Sequence, residues 1–578
     1  MTNDDLIKRV QETTAKGIEN LYQRQRPDGA WTDRLSSSAV PTSMALVVLS
    51  RAGRDRYGTE IEDGLRWLRA SQRTDGGWSQ SDDDPPSDTA ATGFAVAALR
   101  SLDPEASSQC LSRADAYMAA NGGEDAILGD VRTWRELVAL LWVLVGLRDI
   151  SQVPRQPIEA MLLPAQIRNR ASIALPGVVA LGAWQSRALE WGRVRLALRR
   201  AAERKGLAWL RALQGPNGGI EECQLMAGFV FMGLEMAGPG VGDDIQRGCV
   251  SYLLSTRRQD GSWATDRDLE IAVTAYAILA LGEYGDVTAE PKLGPTRDWL
   301  LSTQWRKPYE PLGQPAGGWS WAVPSGWPES EDTAVVLTVL SDLGMTCGDP
   351  SIQLGVDWLM TQQNRNGSWS EWIRGGSQLF DGPCPGVTAH VVMALRRPEI
   401  HADSQATLAR ALKYFKAAQA SDGSFSSLWF RDWTHGTAKA LEAYADLGLA
   451  ADPVAVRARQ WLLGSQRADG AWPGQVEEGP PEGGTVEETS WALFSLLKAG
   501  HPPWDQQVIK AVEWLADGQD DAGTWAPSAV GLYYPTMFYS DDLIAHTYAL
   551  RALGRWLTCA GAQAKMPEVR EVASEGTR

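Results

Sequence analysis

Cysteine is scarce in this 578-residue chain and never paired: Cys110, Cys223, Cys249, Cys347, Cys384 and Cys559 are scattered, with no C-x-x-C spacing. That argues against a zinc knuckle or a disulfide framework and fits a reducing cytoplasm. Positive charge is in deficit, with 55 Lys and Arg against 71 Asp and Glu and a formal net charge of -16. A nucleic-acid backbone is therefore a poor partner, and a small or apolar ligand a better one. Long apolar runs are missing: the longest, Leu137–Leu147 (LVALLWVLVGL), is about half of what a bilayer requires and reads as a buried helix. The opening MTNDDLIKRV lacks the basic-then-apolar order of a signal peptide. Nothing resembles a long disordered tract, and the length predicts two domains of roughly 200 to 300 residues. Phenylalanine is rare as well, 9 residues against 26 tryptophans, so something in the fold or the site calls for tryptophan.

What the chain does have is a repeat. Gln-x-x-x-Gly-x-Trp starts at Gln25 (QRPDGAW), Gln72 (QRTDGGW), Gln363 (QNRNGSW), Gln466 (QRADGAW) and Gln519 (QDDAGTW). Gln419 (QASDGSF) has a weakened aromatic, and Gln214 (QGPNGGI) and Arg257 (RRQDGSW) begin degraded copies. Adjacent copies lie about 45 to 60 residues apart, the length of a helix pair. Each follows a segment with helical apolar spacing, such as Ile61–Leu68 or Val454–Leu463, and precedes another, such as Ala91–Leu99 or Ser490–Leu497. The motif is then a turn. Asp-Gly or Asn-Gly supplies backbone freedom, Gln satisfies helix-end groups, and Trp packs across the junction in a structural rather than catalytic role. Helix pairs that bury a common face close into rings, so the fold class is all-α, with two α/α barrels. Gln80–Ser87 (QSDDDPPS) and Gly479–Gly484 (GPPEGG) read as barrel-end loops.

These repeats resemble the QW motifs of the squalene-hopene cyclase and class II diterpene cyclase superfamily, from Gln25 to Trp556. Two stretches sharpen the resemblance. Trp327–Val336 reads WPESEDTAVV where the family has an acidic D-x-D-D-T-A box, and Gly386–His390 reads GVTAH, similar to the D-V-T-A-H segment of the hopene branch. The resemblance implies a β domain (1–32 and 266–578) carrying the acidic box, an inserted γ domain (33–265), and an active site in the cavity between the barrels. It implies protonation of a terminal alkene of a linear polyprenyl chain, or of its epoxide, followed by closure to fused rings, with no cofactor needed for the protonation.

Protonating carbon demands an acid stronger than a free carboxyl. Burial and neighbouring carboxylates keep such an acid protonated, and a cationic partner favours release. On the resemblance, Glu329, Glu331 and Asp332 occupy the D-x-D-D positions, Glu331 is the proton donor, and His390 is its charged partner. Both earlier aspartates are glutamates here, and Gly386 stands where the family has an acid, so the donor is displaced by a methylene or shared with Asp332. The alternative is a solvated acidic turn with Glu329 or Glu331 at a helix N-terminus. The carbocation then needs aromatic walls. The resemblance suggests Trp184, Trp321, Trp372, Trp429, Tyr534 and Phe538, with Gln224 at the terminating end. Asp541 and Asp542 stand where the hopene enzymes are aromatic, which predicts a more polar site with Asp542 contributing. His435, in WTHGT, either lines the pocket or starts a helix.

Most of the membrane-inserting segment of the hopene cyclases is absent between Trp191 and Leu210. That favours a farnesyl or geranylgeranyl diphosphate, with the diphosphate retained, or a prenylated polar molecule over squalene; a triterpene or meroterpenoid substrate is the alternative. Arg193–Lys205 reads either as a solvated helix face or as a basic amphipathic helix with weak membrane-surface contact. A diphosphate needs cations, often with Mg²⁺; Arg187, Arg306 and Lys307 are candidates by charge alone. No protein-metal site is expected, and the sequence leaves the oligomeric state open. Two other classes share the barrel. A protein prenyltransferase β-subunit needs a zinc site of Asp, Cys and His, which the five histidines do not suggest; the other is a non-catalytic isoprenoid-binding α/α module.

Overall fold

The protein is described from a computed structural model covering residues 2–562 apart from 33, 84–85, 130–134, 169–174, 325, 377–380, 402, 432, 474–482 and 535–536. Residues 479–482 of the Gly479–Gly484 loop and 84–85 of the Gln80–Ser87 loop thus lie outside the described residues.

Every repeat performs the same local task. The motif glutamine amide donates to the carbonyl of its own glycine and to a carbonyl in or just before the neighbouring outer helix. Gln72 reaches Gly76 and Cys110 at 2.8 Å, and Gln466 reaches Gly470 and Gln507 at 2.8 Å. The buried indole N–H donates to a carbonyl 10 residues back, closing the end of the preceding helix: Trp78 to Leu68, Trp369 to Leu359 and Trp472 to Leu462, at 2.7–2.8 Å. Each tryptophan's backbone N–H then donates to a threonine hydroxyl in the following inner helix, Thr92, Thr388 or Thr489, at 3.0 Å. Glycine is required because the turn runs with positive φ against a neighbouring backbone; at Gly367 (φ +96°) a Cβ would stand 2.2 Å from the Arg410 carbonyl oxygen. A further copy escapes sequence inspection because an insertion splits it. Gln304 donates to Gly317 across 13 positions rather than 4, and the Trp319 indole donates to Leu300 at 2.7 Å.

Helix pairs linked this way build two barrels. In one, among the described residues, six inner helices pack neighbour to neighbour and the last returns to the first: Glu270–Leu281, Ser330–Asp342, Pro385–Leu395, Thr434–Asp446, Val486–Lys498 and Asp542–Cys559. Inner helices are buried nearly all round, as in EIAVTAYAILAL at 270–281, where only Leu279 is not fully buried. Outer helices carry one apolar stripe, as in Gln506–Asp517 with Val508, Ala511, Val512, Leu515 and Ala516 inward. The N-terminal helix Asn3–Gln23 is an outer member of this ring: it packs on Gln506–Asp517 and Asp542–Cys559, and the Gln519 amide donates to the Thr13 carbonyl at 2.9 Å. In the second barrel, Ala39–Gly53 packs on Thr89–Leu102 and on Gln224–Ala237, and Gln224–Ala237 on Leu175–Ala188. No helix among the described residues is long and apolar enough to cross a membrane.

One departure from the helical expectation is a short antiparallel hairpin, β1 (Gly531–Tyr534) with β2 (Met537–Tyr539). Its run of aromatic residues suits a pleated, half-buried ribbon better than a helix.

Candidate active site

Inner helices of both barrels begin at a shared cavity of about 380 Å³, inside the ~300–1,000 Å³ span of small-molecule sites. Its apolar wall comes from Trp321, Trp372, Trp429 and Phe430 on one side and from Leu181, Leu225, Met226 and Phe229 on the other. The three tryptophans form an edge-to-face row, Trp321 to Trp372 at 6.0 Å and Trp372 to Trp429 at 4.8 Å between ring centroids. Their three indole N–H groups have no hydrogen-bond partner in the protein.

Into this apolar surface project Glu329, Glu331 and Asp332, all buried, at the start of helix Ser330–Asp342. They are no solvated acidic turn. A helix N-terminus stabilises a carboxylate by about 0.3–1 kcal/mol, less than one pH unit, and burial overrides it. Burial and then the Asp332 charge push Glu331 up to about 7, against the Lys439 charge and a hydrogen bond from the Tyr276 hydroxyl (3.3 Å). Glu329 is held well above the carboxylate range by burial and by Asp332, with which it shares a proton; Asp332 is raised by burial and lowered by that bond. A fourth acid, Glu371, was not foreseen. It lies between Trp369 and Trp372 just after a repeat turn, accepts the Glu331 backbone N–H at 2.8 Å, and is raised well above its ordinary value by burial and Glu331. The only signal in the sequence was a glutamate in SWSEW where a turn offers no reason for one.

His390, expected as the charged partner of Glu331, stands beside it in surroundings that oppose the charge. Its Nε2 stands 3.5 Å from Glu331 Oε1, but burial and then Lys439, Arg551 and Lys498 lower its pKa, which disfavours the charged form. The cation acting on Glu331 is Lys439, buried and paired with Glu442 at 3.0 Å, its own pKa lowered by burial to about 8. A lysine in THGTAKALEAYAD reads as a surface residue until the barrel encloses it.

Other expected residues divide. Trp321, Trp372 and Trp429 line the cavity; Trp184 and Gln224 are buried beside lining neighbours, Leu181, Cys223 and Leu225, without lining it themselves. His435 is buried one layer back, its Nδ1 3.1 Å from the Ser427 hydroxyl and its ring 4.2 Å from lining Phe430. Phe538 is turned away by strand alternation and lies 4.2 Å under the Arg431 guanidinium, whereas Tyr533 and Tyr539 line the cavity. Tyr534 belongs to β1, and its side chain lies outside the described residues. Asp542 does not reach the cavity: it is part-exposed, 3.9 Å from Arg24. Asp541 is the N-cap of helix Asp542–Cys559, accepting the N–H groups of Leu543 and Ile544, and Ile544 faces the cavity instead.

A second acidic corner comes from the other barrel. Glu221, whose carboxylate oxygens have no partner, lies in the wall with Cys223 and Asp266. Burial and then Asp266 raise Glu221 well above its ordinary value; Asp266 is raised chiefly by burial while hydrogen-bonded to Cys223. Glu221 and Glu222 both adopt left-handed backbone, φ 61° and 51°, at about 1–3 kcal/mol each. Glu222 is held by Arg267 (2.9 Å).

The cations named for a diphosphate are elsewhere: Arg187 pairs with Glu203 at 2.7 Å, Arg306 donates to the Ser351 hydroxyl at 2.8 Å, and Lys307 is exposed. Among the described lining residues there are six carboxyl groups and no Lys or Arg. Among the described residues the metal-competent group is Glu331, His390 and His435, with ligand atoms within 4.8 Å of one another; it contains no cysteine, and Lys439 opposes a dication there. Outside the cavity, Val194 (78% accessible) and Leu198 are exposed on helix Arg193–Leu213 and Leu162 on the turn packed against it, while Leu147, Leu163 and Ile167 are exposed as well.

Residues 270–558 match the squalene-hopene cyclase C-terminal domain, and residues 14–172 the squalene-hopene cyclase N-terminal domain. The squalene–hopene cyclase of Alicyclobacillus acidocaldarius is 25% identical over 94% of this chain and 97% of its own length. Enfumafungin synthase efuA of Hormonema carpetanum is 24% identical over 93% of this chain, which spans only 47% of that protein. The ent-copalyl diphosphate synthase from Streptomyces platensis shares the fold, with a TM-score of 0.57, 19% identity, and coverage of 96% of this chain and 100% of that one.

Proposed function

The chain belongs to the squalene-hopene cyclase family and is a terpene cyclase of the protonation-initiated class, and from that premise we propose that Glu331 protonates a terminal alkene of a linear polyprenyl substrate folded in the cavity. The observation that carries this reading is Glu331 itself: buried in an apolar wall, raised to about 7, and bonded by the Tyr276 hydroxyl. In the first step its O–H bond breaks and a C–H bond forms at the alkene terminus. Glu331 is left as carboxylate and the chain as a tertiary cation. Tyr276 and Lys439 stabilise the carboxylate, which strengthens the acid before transfer. Successive alkene electron pairs then form the ring C–C bonds, and the last cation loses a proton or is trapped by water.

Glu329 is a poorer donor because Asp332 holds its proton, and Glu371 is engaged by the Glu331 backbone. His390 and His435, whose ring nitrogens lie within 4.8 Å of a Glu331 oxygen, orient the donor. Trp321, Trp372 and Trp429 present faces and edges to the travelling cation, each contact contributing about 0.5–2 kcal/mol in a dry site.

Residues 1–32 and 266–578 form the domain that supplies the acid, and 33–265 the inserted one; the packing of helix Asn3–Gln23 into the ring of the acidic box supports this division. Exposed Val194 and Leu198 beside the basic residues of helix Arg193–Leu213 support membrane-surface contact through which an apolar substrate arrives. A retained diphosphate, with Mg²⁺, receives no support from a wall of carboxyl groups.

The test is incubation of the purified full-length chain with farnesyl diphosphate, geranylgeranyl diphosphate, squalene and a geranylgeranyl phenol, beside Glu331→Gln. A cyclised product that the variant does not make supports the reading. Cyclisation that survives in Glu331→Gln moves the donor to Asp332 or Glu329.

A further inference from the structure

The second acidic corner has no part in the protonation. Glu221 is fully buried, it lies in the cavity wall just before inner helix Gln224–Ala237, and neither carboxylate oxygen has a hydrogen-bond partner. Asp266, from the connection between the barrels, stands in the same wall. The Tyr533 hydroxyl, also in the wall, has no partner either. Carboxyl groups without partners in a low-dielectric wall are costly unless a ligand supplies donors. A charged diphosphate would instead enter an apolar wall in which no Lys or Arg among the described lining residues offsets its charge.

We propose that Glu221 and Asp266 bind the unreactive end of the substrate, and that this end is an uncharged group carrying O–H or N–H donors, such as a phenol, rather than a diphosphate. The inference rests on the reading of the cavity as a polyprenyl cyclisation site and names the substrate class that site takes. A corner built to accept hydrogen bonds rejects a chain that lacks donors, because its own groups are then left unpaired.

Binding tests this independently of turnover. In the full-length Glu331→Gln protein, quenching of intrinsic tryptophan fluorescence is titrated with geranylgeranyl hydroquinone, and with geranylgeranyl diphosphate with and without Mg²⁺. The hydroquinone should bind at least about tenfold more tightly than the diphosphate under either condition. Adding Glu221→Ala, or Asp266→Asn should the first variant fail to fold, should weaken hydroquinone binding about tenfold and leave that of geranylgeranylbenzene, which has no donor, unchanged. Tighter diphosphate binding, no hydroquinone binding, or hydroquinone affinity indifferent to both substitutions would overturn the proposal. Because no proton is transferred in this experiment, its failure leaves the role of Glu331 to be judged by turnover in the wild type.

Discussion

The barrel that carries the acidic box has two mouths, built from opposite ends of the same inner helices. At the N-terminal ends Glu329, Glu331 and Asp332 face tryptophans across an apolar cavity. At the C-terminal ends a second cavity, also about 380 Å³, is lined by Glu283, Asp342, Asp446, Arg396, Arg397, Lys498, Arg551 and Arg555. There the acids are paired: Lys498 with Asp446 at 2.9 Å, Arg397 with Asp342 at 2.5 Å, Arg555 with Glu283 at 2.9 Å. Cations at helix C-termini suit the helix dipoles, so this mouth is electrostatically satisfied. The other holds acids in apolar surroundings without a directly paired cation, which raises their affinity for protons. His390 belongs to the wall of the charged cavity and stands 3.5 Å from Glu331, so one imidazole ring separates the two chemistries. Equal volumes thus support opposite uses, and counter-charge decides which.

Substitutions can break that contrast. Glu331→Gln should lower cyclisation by at least about 10³-fold while leaving Tm within a few degrees. Lys498→Met, at the charged mouth, should do the reverse: a loss of about 1–3 kcal/mol, read in the denaturation midpoint, with kcat held within about threefold. Equal loss of activity in both variants would erase the functional distinction between the mouths. Trp372→Phe keeps the wall aromatic but weakens the cation contact, and kcat should fall by about 2- to 30-fold with KM little changed.

Lys439→Met sharpens the comparison through pH. The Lys439 charge lowers the proton affinity of Glu331, so activity in the wild type should fall as pH rises through about 7 and the donor ionises. Without Lys439 that limb should move to higher pH and the plateau rate should drop about tenfold, because the acid is weaker. An unmoved limb would remove Lys439 from the mechanism. Stability should respond more gently. Asp381, Asp541 and Glu487 are raised by burial to about 7, so the native state retains protons that the unfolded chain has released. Stability from these groups is present at low pH and lost as pH rises from the ordinary carboxylate range through about 7, and Tm should be lower at pH 8 than at pH 6. The smallest effect expected is that of Trp369→Phe, which deletes the indole bond to Leu359 for about 1 kcal/mol and leaves activity intact.

Much of this was legible in the chain. The turn motif predicts helix pairs because its chemistry lies within a few residues: Gln363 bonds Gly367, and Gly367 alone tolerates its φ. The split copy at Gln304 and the threonine that receives each tryptophan N–H were missed, the first because an insertion hides the spacing and the second because threonine carries no signal in an apolar helix. In the site, the acidic box and Trp321, Trp372 and Trp429 were legible. Phe538 and Asp542 fall outside the cavity wall, since a hairpin and an N-cap turn those side chains away, and nothing in a linear pattern marks Glu371 or Lys439.

The sequence by itself determined the repeat, the helical rings and the segment holding the acids, because turns, caps and apolar stripes act over short separations. Only the tertiary structure decided which carboxyl groups lose water and which cations face them. Glu331 meets Tyr276 across 55 positions and the backbone N–H of Glu331 meets Glu371 across 40. Proton affinity depends on burial and Coulomb interaction at a few ångströms, and those neighbours exist only once the barrels have closed.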